Sequence, residues 1–410
     1  MTFITSVITR PTDDQSDAFG RLRVSNPHTQ FDGSHIRGLR PELETQSITG
    51  LGTITLNTNN PTVDMTLTGT GTLIKQSRRR GVYQPSKSLV IYMTGVLNNN
   101  GANTANTTTR IGYNDDEDGI YFEHRGNGTN GTMYIVKRSK DTGAIVNTEV
   151  QQSSWNIDKM DGTGKSGIIL DPSKTLIFVI DLEWLGVGRV RVGFIIGGVY
   201  YYAHQFLHSN IYTTVYINLA SLPVRYSITS TSGGTGSLKK MCYAVVSEGG
   251  FDPTGITRTV STGVSNKTVT ATENSMMAIR IKSTTPKTQV RIVNIQGVSG
   301  SSKTITINML RFYDRAHASI LTNAVWVTQT DSDVEYDISA TAIDRTGGHL
   351  LGVGYISVDG TLSFPDVSHL STNMILSTNL QGLSDVVVIT AQTLTQTDVI
   401  TYGITYIEFL

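Results

Sequence analysis

The sequence predicts an all-β protein with two successive antiparallel β-sandwiches and an extended N-terminal arm. Apolar and polar residues alternate at period two in many short segments bounded by Gly, Asn and Thr clusters. Only 16% of the 410 residues are charged and 40 are glycine, a composition that suits strands and turns better than surface helices. Helical periodicity is weak, and residues 315–326 are the single candidate for a short helix. Short strands at regular spacing indicate a sandwich or jelly roll.

Charge and cysteine content exclude several classes of protein. The chain has 33 basic and 33 acidic residues, and a neutral chain is a poor general binder of nucleic acid or anionic membrane. The single cysteine, Cys242, excludes an internal disulfide framework and a cysteine-based zinc site. No apolar run is long enough to span a membrane, and the N-terminus lacks the pattern of a secretory signal. We therefore expect synthesis in a cytoplasm, without membrane insertion or specific nucleic-acid binding.

Residues 1–45 form the predicted N-terminal arm. Prolines interrupt this stretch, and its apolar residues show no sustained period. Within it, residues 17–33 combine two arginines with apolar side chains, which fits either a strand with a flanking turn or an arm that docks on another subunit. The predicted docking residues are Phe19, Arg21, Leu22, Arg23, Val24 and Phe31.

The rest of the chain divides into two predicted sandwiches. Residues 46–252 contain alternating segments such as SITGLGTITLN and SLVIYMTGVLN and form the first. Residues 253–264, which include Pro253, form a linker. Alternation of apolar and polar residues begins again in residues 265–410, in segments such as QVRIVNIQGV and YGITYIEFL. We therefore expect a second sandwich there, acting as an interface or a distal head.

An acidic turn is the only candidate for a metal site, and we predict no cofactor. Residues 114–119 resemble the start of an EF-hand loop, but Arg125 stands where the bidentate glutamate is required. A looser Ca²⁺ site at Asp116 and Asp118 is the alternative to a solvated acidic turn.

Asp181 and Glu183 are the candidate catalytic pair. Residues two apart on a strand share a face at about 6.5–7 Å, a separation that carboxylates use in glycoside hydrolysis. They could instead pair with Arg189 and Arg191 on the next strand, a common role for such residues. We favour the ion-pair interpretation and expect no enzymatic activity.

Four aromatic residues could stack on the rings of a bound sugar. The alternative is that they are core or interface aromatics. These residues are Trp184, Tyr200, Tyr201 and Tyr202.

Two segments, the second of them long and in several parts, carry a resemblance to a known group of proteins. They are DAFGRLRVSNPHTQFD near the N-terminus, the long stretch from SSWNIDKMDG to YYYAHQFLHSN with LPVRYSI after it, and the ending VVSEGG. They are similar to uncharacterised virion structural proteins of tailed phages and other large DNA viruses, over roughly residues 15–250. The resemblance implies a particle component built on a lectin-like or jelly-roll sandwich, and it implies no catalytic residue.

The expected function follows from the resemblance and the composition together. We expect a non-enzymatic bacteriophage structural protein in the virion, attached through its N-terminal arm as a capsid decoration, vertex fibre, tail fibre or baseplate component. Its partners would be other virion proteins, further copies of itself in a trimer or another symmetric oligomer, and a host surface glycan. The alternatives are a carbohydrate-binding receptor-recognition module and a glycan-degrading enzyme that uses Asp181 and Glu183.

Overall fold

A computed structural model describes the chain in two compact units, Met1–Asp252 and Pro253–Leu410. The residues described are 16–18, 20–24, 26–252, 255–263, 267–299, 304–356, 361–363, 375–394 and 397–409. In these ranges the regular structure is β-strand, with single 3₁₀ turns at Asn99–Gly101, Gln152–Ser154 and His317–Ser319. No helix in these ranges is long and apolar enough to cross a membrane.

The described part of unit 1 contains one large antiparallel sheet. The strand order is β11-β10-β9-β4-β13-β3-β12-β5-β6-β7-β8, with β1 also paired to β13 and β2 to β3. The strands are β1 Pro27–Gly33, β2 Glu44–Asn57, β3 Thr62–Ser77, β4 Ser88–Val96, β5 Thr107–Asn114, β6 Gly119–Arg125, β7 Thr132–Ser139, β8 Val146–Gln151, β9 Leu176–Leu182, β10 Val190–Ile196, β11 Val199–Phe206, β12 Val224–Ser230 and β13 Thr235–Glu248.

Glycines mark the place where this sheet turns. Strand β3 pairs with β2 on one side, and on its other side it pairs first with β13 and then with β12. A Cβ atom on Gly50 would lie 2.1 Å from the carbonyl oxygen of Thr70, and one on Gly71 would lie 2.2 Å from that of Thr49. Gly50 also has a φ of 77°, which other residues rarely adopt. Glycine therefore permits the close backbone approach that a sharp bend of the sheet requires.

The bend brings the two ends of the sheet face to face around one core. Phe122 on β6 lies 4.8 Å from Phe178 on β9 and 5.0 Å from Phe194 on β10, between ring centroids. All three side chains are buried, as the alternation of apolar residues along these strands predicts. The result is a sandwich whose two layers belong to one continuous sheet.

The described part of unit 2 is a second sandwich, made of two main sheets that share a core. One sheet has the order β14-β27-β17-β24, with β15 paired to β27 and β25 to β17; the other has the order β20-β21-β16-β26-β18-β23. Buried Ile292 and Ile404 of the first sheet pack in one cluster with Ile279 and Ile307 of the second. The strands are β14 Ile256–Ser261, β15 Lys267–Val269, β16 Asn274–Ile281, β17 Gln289–Ser299, β18 Ile305–Phe312, β19 Leu321–Thr322, β20 Val327–Thr328, β21 Val334–Asp337, β22 Ala342–Ile343, β23 Gly348–Ile356, β24 Thr361–Ser363, β25 Ile375–Leu376, β26 Val386–Thr393 and β27 Asp398–Phe409.

The all-β class with two sandwiches is confirmed, but the arm ends earlier than predicted. Strand β1 pairs with β13, with Phe31 opposite Val245, and the Phe31 ring is buried in the core of unit 1. Residues 27–45 are therefore part of the sandwich and not of an arm. The predicted helix at 315–326 is also wrong, because this stretch holds only the turn His317–Ser319 and the short strand β19.

Candidate functional site

The described residues 16–18 and 20–24, here called the N-terminal segment, fold into a small turn of their own. The Asp17 carboxylate accepts hydrogen bonds from the Arg21 backbone N–H at 2.8 Å and from Arg21 Nε at 2.7 Å. The Asp17 N–H donates to the Arg21 carbonyl at 2.8 Å, and Ser16 and Leu22 form a bridge. Asp17 and Arg21, four residues apart, thus close the turn with hydrogen bonds of their main chains and of their side chains.

A buried carboxylate on β9 receives this segment. Along β9, Ile180 and Leu182 point into the core, and the alternation turns Asp181 to the other face. The Asp181 Oδ2 atom lies 2.6 Å from Arg23 Nη2 and 2.5 Å from Arg191 Nη2. Arg191 is directly opposite Asp181 on β10. One carboxylate therefore joins the segment to two strands of the sheet.

A second acid, Glu248 at the end of β13, completes the pairing of Arg23. Its Oε1 atom lies 3.3 Å from Arg23 Nε, and its Oε2 accepts a hydrogen bond from Ser88 Oγ at 2.9 Å. Burial would lower the pKa of Arg23, but the carboxylates of Asp181 and Glu248 outweigh it and raise that pKa. Arg23 is a permanent cation held by two anions.

Guanidinium groups of the sheet also bind the main chain of the segment. Arg191 Nη2 donates to the Ser16 carbonyl at 2.6 Å. Arg189 donates to the Ala18 carbonyl from Nε at 3.0 Å and from Nη2 at 2.8 Å. The side chain of Ala18 is buried against the sheet. The Asp181–Glu248 site, defined by Asp181, Arg189, Arg191 and Glu248, thus recognises both the arginine and the backbone of the segment.

The apolar residues predicted for docking do not all contribute. Leu22 and Val24 are 59% and 86% exposed, although they flank the bound Arg23. Arg21 turns back to Asp17 within the segment. Phe31 lies in the sandwich core, and Phe19 lies outside the described residues. Among the predicted residues that the structure describes, Arg23 makes the principal contact with the sheet.

The candidate catalytic pair does not form an open pair of acids. The Asp181 side chain has no exposed surface, and its Oδ2 atom is occupied by the two guanidinium groups. Glu183 follows the end of β9, and its Oε1 accepts the backbone N–H of Arg189 at 3.0 Å. Burial raises the pKa of Glu183. The geometry provides ion pairing and backbone binding, in accord with the cross-strand interpretation, and no groove between two accessible carboxylates.

The tyrosines of β11 do not form one sugar-binding surface. Tyr200 and Tyr202 share the face that carries Asp181, whereas Tyr201 points to the opposite face and packs on the core. The buried Tyr202 hydroxyl donates to Asp181 Oδ2 at 2.9 Å, and the Tyr200 hydroxyl lies 2.7 Å from that of Tyr92. Tyr202 therefore contacts the Asp181–Glu248 site.

Trp184 lies apart from these tyrosines. Its Nε1 donates to the Ile217 carbonyl at 2.9 Å, and its ring meets the edge of Tyr83 at 5.6 Å between centroids. The indole is partly buried against the core of unit 1. Its contacts are those of a packing residue.

The acidic turn is held by protein groups. Asp116 pairs with Arg225 at 2.5 Å. Asp118 is buried, and its Oδ1 accepts the backbone N–H groups of Asn218 at 2.9 Å and Lys140 at 3.3 Å. Within the described ranges, no group of three or more His, Cys, Asp or Glu side chains is arranged to hold a metal ion. The carboxylates of Asp116 and Asp118, the candidates for a loose Ca²⁺ site, are thus engaged with donors of the protein.

The sequence strings that carry the resemblance meet at the Asp181–Glu248 site. DAFGRLR supplies Arg23, the long central string supplies Asp181, Arg191 and Tyr202, and VVSEGG supplies Glu248. Sequence reasoning missed the role of Glu248 and the pairing of Arg23 with Asp181. A single sequence gives no signal for this pairing, because Arg23, Asp181 and Glu248 lie far apart along the chain.

Comparisons with known proteins bear on the fold alone. The sequence matches no family model and no curated protein. Similar solved structures include a protein of unknown function from Shewanella oneidensis MR-1 (TM-score 0.36, 7% identity, 56% of this chain and 89% of that one). A Bacillus licheniformis β-glucanase (0.33, 9%, 54% and 97%) and peanut lectin with a bound 9-residue peptide (0.32, 9%, 54% and 98%) are also similar. At these scores the likenesses carry no argument about what this chain does.

Proposed function

We propose that this chain is a non-enzymatic structural protein of a bacteriophage particle, attached to its neighbours through its N-terminal segment. The observation that carries the proposal is the ionic site that holds this segment. The buried Asp181, the partly buried Glu248, Arg189 and Arg191 are all engaged in binding the N-terminal segment. This polar site of unit 1 thus holds the described N-terminal segment.

The use of the two candidate catalytic acids supports a structural role over hydrolysis. General acid catalysis needs a carboxyl group within hydrogen-bond reach of a substrate oxygen. Asp181 is covered by Arg23, and Glu183 is bound to a backbone N–H. A substrate would have to displace the N-terminal segment before it reached Asp181.

The particle role rests further on the resemblance of the strings that build this site. Two rigid sandwiches with few charges suit a protein that is present in many copies on the surface of a particle. Such a protein would be a capsid decoration, a vertex fibre, a tail fibre or a baseplate component. The expected location is the virion, and the expected partners are other virion proteins and further copies of this chain, with a trimer favoured.

The experiment that tests this role measures incorporation into particles. Particles are purified from cells that express epitope-tagged wild-type chain, Arg23→Gln or the control Arg37→Gln, and the tagged chain per particle is counted by quantitative immunoblot. Arg37 is an exposed arginine of the same region. We expect wild type and Arg37→Gln to be incorporated equally and Arg23→Gln at about a tenth of that level or less. Absence of the wild-type chain from particles would overturn the particle role, and full incorporation of Arg23→Gln would overturn attachment through the segment.

A further inference from the structure

We propose that the Asp181–Glu248 site accepts the N-terminal segment of a second copy of this chain, so that copies are joined by exchange of residues 16–24. The inference rests on the proposed attachment role of the segment, and it names the partner as another molecule of the same protein. Exchange of an identical element is a low-cost route to an oligomer because each site keeps the same contacts.

The segment has the properties of a unit that can move intact. Its turn is closed internally by Asp17 and Arg21, through the side-chain and main-chain bonds described above. None of these bonds involves the sheet. The turn would therefore keep its shape during transfer from one copy to another.

Little apolar surface holds the segment in place on its own unit. Among its described apolar side chains, those of Leu22 and Val24 are mainly exposed and only the small one of Ala18 is buried. The principal contacts with the sheet are ion pairs and hydrogen bonds of Arg23 and of the carbonyls of Ser16 and Ala18. Water can replace such contacts during exchange at a lower cost than it can hydrate a large apolar face.

The site presents two acids to the position that Arg23 occupies. The Asp181 side chain is fully buried, and its Oδ1 atom has no hydrogen-bond partner. Burial raises the pKa of Glu248, and Arg23 opposes that rise, so a cation beside Glu248 stabilises its carboxylate. Residues 16–24 of a second copy supply this cation with the same geometry.

The site also has an open side. A cleft of about 430 Å³ lies beside Arg23. It is lined by the segment itself, by the turn at residues 85–87 and by the end of β13 at Glu248 and Gly249. Val24, the residue that leads out of the segment towards β1, is 86% exposed beside this cleft. Movement of Val24 away from the sheet therefore displaces no core residue.

The test uses the full-length chain labelled at its single cysteine, Cys242, which is exposed. Donor-labelled and acceptor-labelled copies are mixed, and energy transfer is followed over time and concentration. We expect transfer to grow with concentration for wild type and for Arg37→Gln. For Arg23→Gln alone and for Asp181→Asn alone, we expect association at least about tenfold weaker.

The decisive experiment is complementation between Arg23→Gln and Asp181→Asn. A mixture of donor-labelled Arg23→Gln with acceptor-labelled Asp181→Asn contains one intact site and one intact segment, on different molecules. We expect energy transfer in this mixture to exceed that of either variant alone by about fivefold or more. No gain over the single variants, with both folded by circular dichroism, overturns the exchange.

The outcome is separable from that of the particle experiment. If Asp181→Asn fails to fold, the wild-type concentration dependence and its loss in Arg23→Gln still decide the question. Wild-type chain without energy transfer at any concentration overturns the inference even when the chain is found in particles. Exchange in solution by a chain that is absent from particles supports the inference and overturns the proposed function.

Discussion

Two ion clusters hold described residues of the stretch 16–45 to the rest of unit 1, and they are built differently. In the interior, Glu44 on β2 lies 2.6 Å from Lys240 Nζ and 3.2 Å from Lys75 Nζ, and His35 Nε2 lies 2.7 Å from Lys240 Nζ. All four side chains are at most 4% exposed. The Asp181–Glu248 site lies on the other face of the sheet, and its arginine comes from a segment that is itself partly exposed.

The difference separates an integral part of the fold from a detachable one. A charge of the interior cluster that loses its partner has no route to water, because the surrounding strands stay in place. Arg23, by contrast, can leave with its segment and be hydrated. Residues 26–45 therefore stabilise the sandwich, and residues 16–24 are free to take part in attachment.

The sharpest test of this comparison is a pair of truncations. Removal of residues 1–24 takes away the segment but leaves β1, His35 and Glu44, so we expect a folded chain with cooperative thermal unfolding. Removal of residues 1–45 deletes Phe31 from the core and Glu44, the acid paired with Lys240, so we expect loss of the folded unit 1. Far-UV circular dichroism and a thermal scan of both proteins check this, and equal stability of the two would refute the division at residue 25.

The sequence predicted the sandwiches because period-two alternation is a local property of each strand. It did not predict that β1 inserts beside β13, since Phe31 and Val245 are more than 200 residues apart and strand pairing leaves no mark on a single sequence. The prolines around β1 suggested an irregular arm, but an edge position tolerates them. Asp181 was noticed as an acid on a strand, and only the fold shows that Arg23 is its partner.

A substitution in the interior cluster should have the larger effect on stability. Glu44→Gln leaves the buried ammonium groups of Lys240 and Lys75 without their anion, so we expect a loss of about 3–5 kcal/mol in the free energy of unfolding of unit 1. The measurement is urea unfolding followed by tryptophan fluorescence in a Trp326→Phe background, which leaves only the tryptophans of unit 1.

The matched control for this substitution is Glu149→Gln. Glu149 pairs with Arg125 at 2.6 Å, but both side chains are 38% exposed, so we expect a change within about 1 kcal/mol. A similar loss for the two variants would mean that burial of the interior cluster has no energetic consequence.

Acid should destabilise unit 1 through the histidine of the interior cluster. Burial, reinforced by the Lys240 ammonium, lowers the pKa of His35 to about 4, against about 6.5 in an unfolded chain. Lys240 and Lys75 hold the pKa of Glu44 below its ordinary value against the effect of burial, so Glu44 stays ionised as His35 titrates. The unfolded chain binds the proton between these two pKa values, so stability falls as pH drops from about 6.5 to 4.

His35→Gln removes this titration and keeps an acceptor for Lys240. We expect the fall in unfolding free energy between pH 7 and pH 4 to be smaller than in wild type by about 2–3 kcal/mol. Urea midpoints across this range measure it. The control His28→Gln changes an exposed histidine of the same unit. An identical pH profile for His35→Gln and wild type would place the acid sensitivity elsewhere.

The smallest effect is expected at the segment itself. Arg23→Gln removes one of the two guanidinium groups at Asp181, and Arg191 and the Tyr202 hydroxyl remain, so we expect the docked state to lose about 1–2 kcal/mol and global stability to change little. Thermolysin cleavage before Leu22 reports detachment, because the protease needs an extended chain, and its rate should rise about tenfold. Arg37→Gln should be cleaved at the wild-type rate. An unchanged rate for Arg23→Gln would show that the ion pairs do not hold the segment, and the contrast between the two clusters would then lie in their burial alone.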